Sequence, residues 1–131
     1  MIKFIKHYFE HTDERGYLKG LLNEGKWEEI NLIFSNSSAV RGKHYHKKTY
    51  EVFIILEGEI QVLLQKVDNE KLVGDEVKTL VKEGDVFLIE PFTQHTFFVL
   101  KDSKWINVLS RKINPSNPDI HRILNVGKEN R

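Results

Sequence analysis

The chain has 131 residues, 40% hydrophobic and 30% charged, with a formal net charge of +1. That is the length of one domain able to bury a real core, and so small a charge surplus gives no electrostatic case for a nucleic acid or a membrane surface as partner. Cysteine is absent, which excludes a disulfide scaffold, a thiolate metal site and a cysteine nucleophile.

In chain order, Ile2 to Phe9 alternates loosely and reads as an edge strand. No apolar run here has signal-peptide length and no segment approaches a membrane span, so a cytoplasmic location is expected. Asp13-Glu14-Arg15-Gly16 reads as a turn, Tyr17 to Leu22 as a second strand and Asn23 to Lys26 as another turn. Ile30 to Phe34 is a third strand, ended by the polar stretch Ser35 to Ser38. Val52 to Leu56 and Ile60 to Leu64 flank Glu57-Gly58-Glu59, which the pattern predicts as a hairpin bend needing Gly58 at positive φ. Val67 to Gly74 reads as a polar loop. Val77 to Val81, Val86 to Ile89, Thr96 to Leu100 and Ile106 to Leu109 read as further strands. Residues from Asn114 onward, with Pro115 and Pro118, are irregular and expected to cover a barrel end or reach a partner subunit. Short strands with turn signals about every 8–12 residues predict an all-β, single-domain, antiparallel jelly-roll barrel, with its core at about 13–112 and an irregular tail at 113–131.

The chemistry concentrates in Arg41-Gly42-Lys43-His44-Tyr45-His46-Lys47-Lys48-Thr49-Tyr50-Glu51. His44 and His46 are two apart, so on a strand both side chains leave one face. A turn after His46 brings Glu51 alongside, and His95 stands after Pro91 at the head of a later strand. Three imidazoles and a carboxylate form a donor set for one divalent ion such as Zn, Ni, Mn or Fe, with no organic cofactor required. A lone histidine is more often an ordinary structural residue; His7, His11 and His121 are read so. Trp27 and Trp105 read as core or interface aromatics.

His44, His46, Glu51 and Gly58, followed by Gly84, Pro91 and His95, resemble the two motifs of the cupin superfamily. The resemblance covers about residues 13 to 112 and implies that the two histidines, the glutamate and the later histidine hold a metal. Asp13-Glu14-Arg15-Gly16 and Arg41-Gly42-Lys43-His44 are similar to motifs of nucleotide-sugar epimerases and isomerases. Arg41 through Lys47 resembles dTDP-4-keto-6-deoxyglucose 3,4-ketoisomerases and the cupin domain of capsular-polysaccharide reductases acting on UDP-4-keto sugars. The ketoisomerases tend to carry Gln where this chain has Glu51 and work without metal, so Glu51 moves the chain towards metal-binding relatives. His46 and Gly20 depart from the rhamnose-type 3,5-epimerase pattern.

The resemblance implies an isomerase or epimerase of deoxysugar or cell-surface polysaccharide biosynthesis, acting on a dTDP- or UDP-linked 4-keto-6-deoxyhexose. Removing a proton beside the carbonyl needs a base, for which His44, His46 and Tyr17 are candidates, and a stabilised oxyanion. Arg15, Arg41 and Lys47 are candidate substrate-binding residues. An imidazole holding a metal cannot also take a proton; then Tyr17, Tyr45 or Glu51 must serve. The competing readings are a metal-bound cupin that binds a small ligand or sugar without turnover, and a metal-dependent oxygenase. A homodimer is expected, in which one subunit lends Arg15 or Tyr17 to the other's site.

Overall fold

Two strands run far longer than the hydrophobic pattern indicates, and they organise the molecule. The computed structural model describes residues 1–123, among which there are nine strands and no helix. They are β1 (Ile2–Phe4), β2 (Phe9–Asp13), β3 (Gly16–Gly20), β4 (Glu29–Ser35), β5 (Val40–His44), β6 (Glu51–Asp68), β7 (Lys71–Lys82), β8 (Val86–Ile89) and β9 (Thr93–Leu109). The expected strands Val52 to Leu56 and Ile60 to Leu64 are one strand, β6. Likewise β9 joins two expected strands.

The expected hairpin at Gly58 is therefore corrected: the polar triplet Glu57-Gly58-Glu59 is a bulge, not a chain reversal. Pairing with β9 slips at Ile55, Glu57 and Glu59, and Gly58 sits at φ 102°. The side chains entering the main core change parity across it, from Phe53 and Ile55 to Ile60, Val62 and Leu64. The expected polar loop at Val67 to Gly74 is corrected too. Strand β6 runs to Asp68, β7 starts at Lys71, and Asn69-Glu70 makes the turn, both at positive φ. Ile2 to Phe9 is not one strand either, since β1 ends at Phe4 and β2 begins at Phe9.

Strands β6 and β9 pair along almost their whole length, with Glu51 opposite Leu109 and Leu64 opposite His95. In a flat ribbon Glu51 and Leu64 would stand roughly 43 Å apart. Instead the ribbon folds over at the bulge. Its first half lies in a sheet ordered β1-β8-β6-β9-β4, and its second half is flanked by β7 and β5. The two halves face each other across a core of Phe53, Phe87, Phe97, Trp105 and aliphatic residues. This is the antiparallel jelly roll.

A second cluster, Val52, Ile54, Val86 and Val108, lies on the outer side of the first half-sheet under Ile5, Leu21, Leu22 and Trp27. Strands β2 and β3 pair only with each other, as an exposed two-stranded arm. Strand β1 joins the main sheet through β8, ahead of the expected start of the core. No helix among the described residues is long and apolar enough to cross a membrane.

Candidate metal centre

Strand β5 delivers His44 through a local irregularity. Gly42 has φ 86° and Lys43 φ 59°, and the pairing with β9 shifts between Gly42 and His44. A Cβ on Gly42 would stand 2.7 Å from the carbonyl oxygen of His95, so only glycine lets the two backbones come this close. The bulge pairs His44 directly with His95. His46 follows past the end of β5, Glu51 opens β6, and His95 stands near the head of β9.

The three rings converge. Centroid separations are 5.0 Å for His44 and His46, 4.8 Å for His44 and His95, and 5.4 Å for His46 and His95. Glu51 Oε1 lies 3.5 Å from His95 Nε2 and against His46 Nε2. One donor atom from each of the four residues falls within 4.8 Å of all the others. His46, Glu51 and His95 are buried and His44 is half-buried.

The donor chemistry fits a divalent cation. His44 Nδ1 is buried without any hydrogen-bond partner, while His46 Nε2, Glu51 Oε1 and His95 Nε2 are buried and face only one another. A buried polar atom left without a partner costs about 1–3 kcal/mol. The other faces of two rings are occupied: His46 Nδ1 faces the carbonyl of Asp119, and His95 Nδ1 lies 3.0 Å from the carbonyl of Thr93. A backbone carbonyl only accepts, so each Nδ1 carries the hydrogen and each Nε2 keeps its lone pair for the centre. Asn107 Nδ2 donates to the outer oxygen of Glu51 at 3.2 Å.

Electrostatics follow from burial and these neighbours. Burial, then the facing His95 and His46, push His44 down to about 3, so its imidazole is neutral in ordinary conditions. Burial alone would raise Glu51, but the facing imidazoles of His46 and His95 outweigh it and hold the carboxyl well below its usual range. Burial likewise lowers His46, but Glu51 and the Asp119 carbonyl overcome it and raise its pKa.

His44, His46 and Glu51 look into a cavity of about 220 Å³, walled by Asn107 and Leu109 on β9 and by Arg111, Ile113, Pro118 and Ile120 beyond it. The irregular tail thus covers the mouth of the jelly roll. A second cavity of about 340 Å³ adjoins it, lined by Lys47, Lys48, Arg111, Lys112, Asn114 and Asn117. Arg111 and Lys112 border both.

The other expected site residues lie elsewhere in this subunit. Arg15 and Tyr17 sit at the tip of the β2–β3 arm, 81% and 73% exposed, with Arg15 paired to Asp13 at 2.6 Å. Arg41 donates to Ser35 Oγ at 2.6 Å and to the Phe34 carbonyl at 3.0 Å, and does not line the cavity. Tyr45 turns away from the donors, buried between Phe92 and His121. Lys47 lines the adjoining cavity. Asp119, Asn107, Arg111, Lys112 and His121 have no motif to announce them; only their place in the folded chain gives them a role.

Residues 11–121 match the family model of the polysaccharide biosynthesis C-terminal domain. The chain belongs to this family. No curated protein sequence matches it. Solved structures share the cupin-type fold of this polysaccharide biosynthesis domain. A 3,4-ketoisomerase from Helicobacter canadensis superposes with a TM-score of 0.75 at 19% identity, over 92% of this chain and 90% of its own. A dTDP-4-dehydrorhamnose 3,5-epimerase from Sulfolobus tokodaii gives 0.73 at 21% identity, over 88% and 79%. A capsular polysaccharide assembling protein from Staphylococcus aureus gives 0.67 at 18% identity over 88% of this chain, which spans only 34% of that longer protein.

Proposed function

We propose that this domain is a nucleotide-sugar isomerase or epimerase of polysaccharide or deoxysugar biosynthesis. Its substrate is a dTDP- or UDP-linked 4-keto-6-deoxyhexose, and its site holds one divalent ion on His44, His46, Glu51 and His95. The observation that carries this reading is a small cavity opening on three of the clustered donors, His44, His46 and Glu51, and adjoining a cationic one. A keto sugar suits the first and a diphosphate the second. The family's link with polysaccharide biosynthesis and the fold shared with a ketoisomerase and an epimerase point the same way.

The ion supplies Lewis-acid polarisation of the sugar carbonyl. The chain's own residues do the rest. Asn107 steadies Glu51, while Leu109, Ile113 and Ile120 exclude water beside the donors. Arg111, Lys112 and Lys47 bind the diphosphate. With both histidines committed as ligands, the base comes from elsewhere. In this reading Tyr17, carried on the exposed arm beside Arg15, serves a partner subunit's site.

The homodimer this requires is supported by β4, a sheet-edge strand that turns Ile30, Leu32 and Phe34 outward at 67%, 69% and 54% exposure. The whole chain acts as one cytoplasmic domain. In metal-free protein the roles shift, and His44 or His46 becomes the base.

The test pairs metal analysis of protein purified without added ions with deuterium uptake from D2O by a panel of 4-keto-sugar nucleotides. One equivalent of ion and mass-neutral conversion with exchange beside the carbonyl are expected. Ion without exchange across the panel would instead establish the binding protein without turnover, a reading favoured by the convergence of all four donors. Exchange without ion would assign the base to His44 or His46. Neither ion nor exchange refutes both readings.

A further inference from the structure

Past β9 the chain crosses the mouth of the jelly roll as a strap with no strand of its own, and one residue ties it down. The carboxylate of Asp119 accepts five donors. Oδ1 takes the backbone N–H of Lys47 at 3.0 Å and faces His121 Nε2 at 2.9 Å. Oδ2 takes the N–H groups of Lys48 and Thr49 at 2.8 and 2.9 Å and the Thr49 hydroxyl at 2.9 Å. Two residues on, His121 and Tyr45 exchange both backbone hydrogen bonds, at 2.9 and 3.0 Å. The loop so gripped is the one joining His46 to Glu51. The backbone carbonyl of Asp119 is also the acceptor for His46 Nδ1.

We infer that Asp119 is a positioning residue: its carboxylate pins the strap to the 47–49 loop, and the pinned backbone sets the ring and tautomer of His46. The inference rests on reading the four-donor cluster as a metal site. The physical chain is short. A carbonyl on an unanchored strap samples many positions, and an imidazole with no fixed acceptor at Nδ1 distributes its proton between both nitrogens. Fixing the carbonyl keeps the hydrogen on Nδ1 and turns Nε2 to the centre. Outer partners of metal-binding histidines are typically worth about 10–100-fold in metal affinity.

The experiment compares wild type, Asp119→Ala and Asp119→Asn, with Ile33→Ala, packed against the core and lining neither cavity at the mouth, as a destabilised control. Zinc affinity is measured by chelator competition, and cobalt-loaded protein gives a visible spectrum of the site geometry. Asp119→Ala should weaken zinc about 10–100-fold, alter the cobalt spectrum and speed amide exchange at Lys47, Lys48 and Thr49. Asp119→Asn, which keeps one acceptor oxygen, should fall between, and it serves alone if the alanine variant does not fold. The control should keep wild-type affinity. Wild-type affinity and spectrum in the Asp119 variants, or an equal loss in the control, overturns the inference. If wild type binds no ion, the metal reading fails by itself. The 15N shifts of the His46 ring then decide: a hydrogen fixed on Nδ1 in wild type and lost from it in the variant supports the latch, and identical spectra overturn it.

Discussion

Replacing Gly58 by alanine should damage both the fold and the site. Two costs add. Gly58 has φ 102°, a conformation that penalises any side chain by about 1–3 kcal/mol. A Cβ there would also stand 2.6 Å from the carbonyl oxygen of Asp102 and 2.7 Å from the Cα of Ser103, and would overlap the Ser103 hydroxyl. Those two backbone atoms belong to the paired strand β9 and cannot rotate away, so overpacking adds about 1–3 kcal/mol. The total, about 2–6 kcal/mol, is a large part of the 5–15 kcal/mol that holds a typical domain together. Gly74 provides the comparison. Its φ is 71°, but a Cβ there meets nothing within 4 Å, so Gly74→Ala should lose only the conformational cost, about 1–2 kcal/mol. Urea unfolding of the three metal-free proteins reads the difference directly. Gly58→Ala should also lose metal affinity, because the corner at Gly58 brings Glu51 to His95, while Gly74→Ala should not. Equal losses in the two variants would refute the crowding argument. A stable Gly58→Ala protein with wild-type metal affinity would refute the claim that this corner assembles the site.

In the metal-free protein, the His44 ring should stay neutral until the pH falls to about 3, while His46 should hold its proton above the ordinary value of 6.5. The two shifts act oppositely on stability. The depressed pKa of His44 favours the unfolded chain as pH falls from 6.5 towards 3, and the raised pKa of His46 adds stability that is lost as pH rises through its folded value. Ring 15N titrations check both, and a His44 midpoint near 6 would remove burial as its cause. The carboxyl of Asp119 lies well below its usual range: burial would raise it, but the N–H groups of Lys47 and Lys48, the Thr49 hydroxyl and His121 prevail. Its contribution is therefore complete above about pH 4 and lost in stronger acid, where amide exchange at 47–49 should accelerate. Arg111→Ala and Lys112→Ala should each weaken dTDP or UDP binding about 10-fold, read by calorimetry, because a hydrogen bond to a charged group is worth about 1.5–3 kcal/mol; unchanged binding would move the diphosphate elsewhere. Leu32→Lys should give a monomer in sedimentation, and a dimer that survives the substitution would place the interface off β4.

The four donors were legible because strand periodicity sends His44 and His46 to one side and the motif supplies Glu51 and His95. The all-β class was legible from the turn spacing. The corner was not, because Gly58 between two glutamates carries the same local signal whether the chain reverses or only bends. What separates the cases is the pairing of β6 with β9, set by residues more than forty positions away. The Arg41-Gly42 pair was found for one reason and matters for another: Gly42 opens the backbone bulge that aims His44, while Arg41 is tied to Ser35. The strap left no signal because an irregular segment has no period to read, so Asp119 and His121 stand out only through what they bond.

The cavity wall formed by 111–120 belongs to no sheet, and the donors belong to no loop of that wall. Chemistry and selectivity are therefore built on separable parts. Insertions, deletions and substitutions between Ile113 and Pro118 can reshape what enters without displacing a donor atom, provided the anchor two positions before His121 is kept. For an engineer this is the stretch to randomise when a different ligand is wanted, with Asp119 and everything before Ile113 held constant.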